Sequence, residues 1–171
     1  MKLKYLFILL ILLSCRGEHI PISFHIAQGQ VALPESDIAT IKKNFSEIVR
    51  IIESGKTDHL EDYVSEKKGI YIDLKSHKSK KQFIAELKKK NGYIENFFYN
   101  TESLRKYTDD ATQISVKDLF LKSSSLKVDI YIESPTECEM KLHLEDESQS
   151  FRLNQPVMIK EDNKWYIYRL F

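Results

Sequence analysis

The feature that most constrains this chain is a change of hydrophobic period along it. Ile38, Ile41, Phe45, Ile48 and Ile52 recur at steps of three or four, the single apolar stripe of a helix. From residue 126 the step becomes two. Leu126, Val128, Ile130 and Ile132 alternate with Lys127, Asp129, Tyr131 and Glu133, and Cys138, Met140, Leu142 and Leu144 alternate with Glu139, Lys141, His143 and Glu145. Helices that bury one stripe and strands that bury one face share a core only as packed layers. The expected fold class is α+β, with N-terminal helices packed on one face of a C-terminal antiparallel sheet.

The intervening residues fill in that outline. Ser36 or Asp37 is the expected cap of the first helix, and Gly55 its stop. A short second helix then turns Leu60, Tyr63 and Val64 inward. Residues 69–74 read as a short strand, and residues 79–90 as a third helix burying Phe83, Ile84 and Leu87, broken by Asn91 and Gly92. Residues 101–107 suit another short helix. Strands over residues 151–160 and 165–170 end the chain, joined by a turn at Glu161, Asp162 and Asn163. The order of these elements, with the ending PVMIKEDNKWYIYRLF, resembles the NTF2-like and cystatin-like domains over residues 36–171. That resemblance implies a curved sheet wrapped around a long helix, often enclosing a pocket.

Upstream, Lys2 and Lys4 precede an apolar run over residues 5–13, too short to span a bilayer, which needs roughly 20 apolar residues. A basic start and a short apolar run fit a signal peptide. The run closes on Leu12, Leu13, Ser14 and Cys15, which resembles the lipobox of bacterial lipoproteins. The resemblance implies removal of residues 1–14 and acylation of Cys15, whose acyl chains would hold the protein on a membrane. Arg16 follows the cysteine where an Asp would mark inner-membrane retention, which favours the outer membrane. Residues 15–35 then read as the lipidated cysteine and a tether, and residues 36–171 as one domain. Ile20, Ile22, Phe24 and Ile26 alternate within the tether, so part of it is expected to dock as an edge strand.

Charge limits the partners. The mature form would carry 24 basic and 25 acidic side chains, and the whole chain has 21 Lys against 5 Arg. Near-neutrality and a shortage of Arg, the residue suited to bidentate phosphate and base recognition, argue against nucleic acid. The charge is unevenly spread. Lys75, Lys78, Lys80, Lys81, Lys88, Lys89 and Lys90 stand against Glu86 alone, while residues 129–147 hold seven acids against Lys141. The lysine segment reads either as a solvated helix face or as a basic patch for an acidic partner or anionic surface.

No segment carries a strong chemical signature. Gly55, Lys56 and Thr57 mimic the end of a phosphate-binding loop, but Arg50 stands where that loop needs glycine. Asp58, His59, Glu61 and Asp62 lack metal-ligand spacing, and Lys141 interrupts Glu139, His143 and Glu145 on one strand face. Cys138 falls on an inward strand position, where burial would leave its thiol inert. Tyr93, Phe97, Phe98, Tyr99 and Tyr107 are candidates to line an apolar pocket, with core packing the alternative. No catalytic residue, metal or cofactor is indicated. The leading expectation is a non-enzymatic, lipid-anchored envelope protein that binds a small ligand or a protein. Its rivals are a small enzyme with an acid–base pair in a pocket, and a surface adhesin acting through the basic patch.

Overall fold

The computed structural model describes residues 19–27, 31–145, 150 and 152–171. Cys15, the signal-like segment, Asp146, Glu147 and Phe151 lie outside the described residues. No described helix is long and apolar enough to cross a membrane.

The fold is α+β, built on a mixed seven-stranded sheet that does not close. Strand β1 (Ile22–Ile26) is followed by the long helix α1 (Glu35–Ser54) and a 3-10 turn over Thr57–Tyr63. A two-residue hairpin, β2 (Ile70–Tyr71) and β3 (His77–Lys78), leads to helix α2 (Lys80–Leu87) and a π-helical turn over Glu95–Tyr99. Helices α3 (Thr101–Thr108) and α4 (Val116–Lys122) precede β4 (Leu126–Ser134), β5 (Glu137–Leu144), β6 (Val157–Glu161) and β7 (Lys164–Arg169). The sheet order is β1-β4-β5-β6-β7-β2-β3. The last four strands form the expected antiparallel meander, but β1 joins β4 and β2 joins β7 in parallel. The sheet is therefore mixed, not wholly antiparallel and not wholly C-terminal.

Helix α1 forms because its stripe has a sheet to cover: Ile41, Phe45, Ile48, Val49 and Ile52 are all buried. Its start lies earlier than the sequence suggests. The Pro34 carbonyl receives the N–H groups of Asp37 and Ile38, so Ser36 and Asp37 sit in the first turn and not at the cap. The Asp37 carboxylate instead takes a hydrogen bond from Lys160 Nζ on β6 at 2.8 Å. Gly55 ends the helix in the left-handed conformation, φ 71°, which a side chain would strain.

Alternation in β4 and β5 is realised. Leu126, Val128, Ile130, Ile132, Cys138, Met140, Leu142 and Leu144 face the core, and the intervening residues face outward. Phe171 is buried against Phe45, Phe98 and Phe120, with ring centroids 5.7, 6.5 and 5.3 Å away.

Several boundaries differ from expectation. The alternating run in the tether docks at the sheet edge as expected, forming β1, which pairs with β4 from Ile22 against Leu126 to Ile26 against Ile130, so the folded domain includes residues before 36. The strand expected at 69–74 keeps two residues, because the Asp73 carboxylate captures the N–H groups of Lys75 and Ser76 and bends the chain. Leu74 is consequently 64% exposed. Helix α2 stops at Leu87, three residues short of the expected end. The strand expected at 151–160 begins only at Val157, after Pro156, whose carbonyl receives the Met140 N–H.

Candidate functional site

Two of the lysines and three of the aromatics singled out in the sequence meet in a cleft between β3, α2 and the π-helical turn. Its volume is about 290 Å³, and its walls include Ile72, Ser76, Lys78, Glu86, Lys89, Tyr93, Asn96, Phe97 and Tyr107. Three local features shape it. The Asp73 turn carries Ser76 and Lys78 back along one side. The Ser79 capping box with Gln82 fixes the start of α2, whose far end brings Glu86 and Lys89 to the opposite side. The turn through Asn91 and Gly92 is held by Glu86 Oε1, which accepts the Tyr93 N–H at 2.6 Å, and by Glu95 Oε2, which accepts the Asn91 N–H at 2.5 Å.

The π-helical turn then sets the floor. Its wide closure, Asn100 N–H to Glu95 carbonyl at 2.9 Å, keeps Asn96 and Phe97 on the cleft wall. Asn96 is 8% exposed; its Nδ2 donates to the Asn91 carbonyl at 3.2 Å. Its Oδ1 has no hydrogen-bond partner among the described residues. A buried acceptor left unmet costs about 1–3 kcal/mol, and the residue that carries it lines the cleft.

Electrostatics favour an occupant with both donors and acceptors. Lys78 and Lys89 supply ammonium donors, and Glu86 and Asn96 supply acceptors. Burial, assisted by the charges of Asp73 and Tyr107, pushes the Tyr93 hydroxyl up to about 12, so it keeps its proton as a donor. Burial opposes ionisation of Asp73, but the N–H groups of Lys75 and Ser76 outweigh it and hold that carboxyl below its ordinary range. Tyr93 and Phe97 stack at 4.3 Å, Phe97 meets the edge of Tyr107 at 5.7 Å, and Tyr107 is 71% exposed at the rim. A flat ring face is thus offered beside buried polar groups.

The other candidates fall elsewhere. Phe98 is core and, together with Tyr93 and Phe97, borders a further cavity of about 290 Å³ whose walls include Leu104, Gln113, Arg152 and Phe171. Tyr99 lines a second cleft of about 360 Å³ with Lys88, Lys89, Lys90 and Lys117. The five aromatics therefore do not share one apolar pocket. Of the seven lysines, Lys78 and Lys89 line the first cleft and Lys88, Lys89 and Lys90 the second; Lys80 pairs with Glu66 at 3.3 Å, and Lys75 and Lys81 line neither. A larger cavity of about 530 Å³ is walled by residues that include Arg105, Lys122 and Glu145.

The remaining motifs resolve into packing. Gly55 terminates a helix, and Arg50 lies within it. Glu139 pairs with Arg169 at 2.5 Å, whereas His143 pairs with Asp129 at 3.0 Å, so that strand face gathers no shared ligand set. Among the described residues no group of three or more His, Cys, Asp or Glu side chains is placed to hold a metal ion. Cys138 is buried as expected, and burial pushes its thiol up to about 12.

Two features escaped the sequence. Asp129 is shared by His143 and, at 3.3 Å, by His25, an arrangement that needs β1, β4 and β5 side by side. Asn96 had a faint signal, a polar residue inside an aromatic run, but only the π-helical turn reveals its unmet oxygen. No known protein family, curated protein or solved structure matches the chain significantly.

Proposed function

We propose that this chain is a lipid-anchored lipoprotein of the bacterial cell envelope, with a domain that binds a small polar ligand without transforming it. The observation that carries the binding reading is the buried, unpartnered Asn96 Oδ1 on the wall of the 290 Å³ cleft. A ligand that donates O–H to Asn96, accepts from Lys78 and Lys89, and lays an apolar face beside Tyr107 is polyhydroxylated, with a saccharide as the natural class. The anchor reading draws on the signal-like residues 1–14 and Ser14 before Cys15, and Arg16 in place of an Asp after the cysteine favours the outer membrane. A long helix ahead of a four-stranded antiparallel meander supports an NTF2-like or cystatin-like kinship for the fold.

Binding is favoured over catalysis by a histidine–carboxylate pair because of where those pairs lie. General catalysis needs a base within hydrogen-bond reach of a substrate in a cavity. His19 pairs with Glu53 at 2.9 Å and His143 with Asp129 at 3.0 Å, yet neither pair lines any of the four cavities described above.

Native mass spectrometry of the mature protein, extracted gently from membranes, tests this reading. A reproducible extra mass that disappears in Asn96→Leu and weakens in Tyr107→Ala is expected. An extra mass indifferent to both substitutions would place the ligand elsewhere. A saccharide-cleaving activity lost with a cleft residue would replace binding by catalysis.

A further inference from the structure

His19 and Ile20 are tied to the folded domain. His19 Nδ1 lies 2.9 Å from Glu53 Oε2, and the Ile20 N–H donates to Glu53 Oε1 at 2.8 Å. The Glu53 side chain is 3% exposed and sits in the last turn of α1. The Pro21 carbonyl then receives the Leu126 N–H at 2.9 Å, and β1 follows. His19 is four peptide links from Cys15, a contour of at most about 14 Å. If Cys15 carries the lipid, as proposed above, there is no long tether, and the end of α1 lies close above the bilayer. The headgroup layer is only about 5–8 Å deep, and charges act over about 8–10 Å in physiological salt.

At that same end of α1 lies the second cleft. Gly55, two residues beyond Glu53, forms its wall with Thr57, Tyr99, Lys88, Lys89, Lys90 and Lys117. A Cβ at Gly55 would stand 3.4 Å from Lys117 Nζ, so that ammonium is placed beside the helix end. None of the four lysines makes an ion pair with a described residue, and the one acid on the cleft wall, Glu95, is engaged by the Asn91 N–H. The Tyr99 hydroxyl is buried without a partner among the described residues, and burial raises its pKa, so it stays a donor. A cleft of about 360 Å³ lined by four lysines against the single carboxylate of Glu95 calls for an anion rich in acceptors.

We infer that this lysine cleft binds the phosphate headgroup of an anionic phospholipid in the membrane that holds Cys15, so that the domain lies against the bilayer by the C-terminal end of α1. The inference rests on the anchor reading but not on the ligand proposed for the Asn96 cleft. It gives the lysine run a specific partner, through three of its members and Lys117 from another helix.

Amine-reactive footprinting of the mature protein in nanodiscs tests it, with Lys164 as the internal reference. Lys164 starts β7 beside the β6 strand whose Lys160 holds Asp37, at the opposite end of a helix about 30 Å long. Lys88, Lys89, Lys90 and Lys117 are expected to react about fivefold more slowly in phosphatidylglycerol discs than in phosphatidylcholine discs, with Lys164 unchanged. The exposed triple variant Lys88→Glu, Lys89→Glu, Lys90→Glu is expected to lose the protection of Lys117. Equal labelling in both discs, with intact mass showing acylated Cys15, would overturn the inference alone. A mature mass without acyl groups would overturn the anchor reading and this inference together. Equal protection by inorganic phosphate in phosphatidylcholine discs would reassign the cleft to a free anion.

Discussion

At the scale of single residues, Asn96 sets function against stability. Replacing it with Leu removes its hydrogen bond to the Asn91 carbonyl, worth about 1 kcal/mol, but also removes the unmet acceptor. The two effects oppose each other. The ligand-free Asn96→Leu protein is expected to unfold within about 1 kcal/mol of the parent while losing its ligand, a separation that chemical denaturation beside native mass spectrometry reads directly. Cys138 makes the contrasting case. Its thiol, pushed up to about 12 by burial, should ignore a thiol-specific reagent in the native protein and react once in denaturant. Native reactivity on the mixing timescale would show that β5 opens readily.

At the scale of elements, what was legible depended on how local the cause was. Helix α1 could be read because five apolar residues repeat its period, and the β6–β7 turn because Asp162 and Asn163 both tolerate positive φ, here 48° and 60°. Helix α4 has a cap and an apolar triplet, Ser115 receiving the Asp118 N–H and Val116, Leu119 and Phe120 buried, but seven residues fall below what periodicity resolves. Membership of β1 in the sheet was only half legible, since its parallel pairing with β4 joins segments about a hundred positions apart. Members of the lysine and aromatic runs line both clefts. Their division between two cavities depends on the Asp73 turn and the π-helical turn, neither of which has a periodic signature.

The β2–β3 hairpin shows how much a short element can rest on one position. Gly69 has φ +66°, and a Cβ there would stand 2.2 Å from the Lys78 carbonyl oxygen, a backbone atom with little room to yield. Gly69→Ala should therefore cost more than the ~1–2 kcal/mol of a left-handed alanine. The displaced β3 would carry Lys78 away from the cleft wall. Thermal unfolding and ligand affinity are expected to fall together; a stable variant with intact binding would show that the hairpin adjusts around an added methyl group.

At the scale of the whole molecule, two long-range ties join the helices to the end of the sheet, and they differ in kind. Phe171 bridges Phe45 of α1, Phe98 of the π-helical turn and Phe120 of α4, so Phe171→Ala is expected to cost about 3–5 kcal/mol at any pH. The Asp37–Lys160 contact joins the start of α1 to β6, and the lysine holds the Asp37 carboxyl below its ordinary range. A carboxyl whose pKa is lower in the folded state contributes its stability above its unfolded pKa, about 3.9, and loses it as pH falls through the folded value. Asp37→Asn should therefore lower Tm at neutral pH and flatten the decline of Tm below about pH 4. Asp73 and Asp110, also held low by their hydrogen bonds, would supply the slope that remains. Thermal melts from pH 7 to 2 distinguish the ties: Phe171→Ala shifts the whole curve down in parallel, whereas Asp37→Asn meets the parent curve at its acid end. Parallel curves for both would mean that Asp37 acts through packing, with its charge idle.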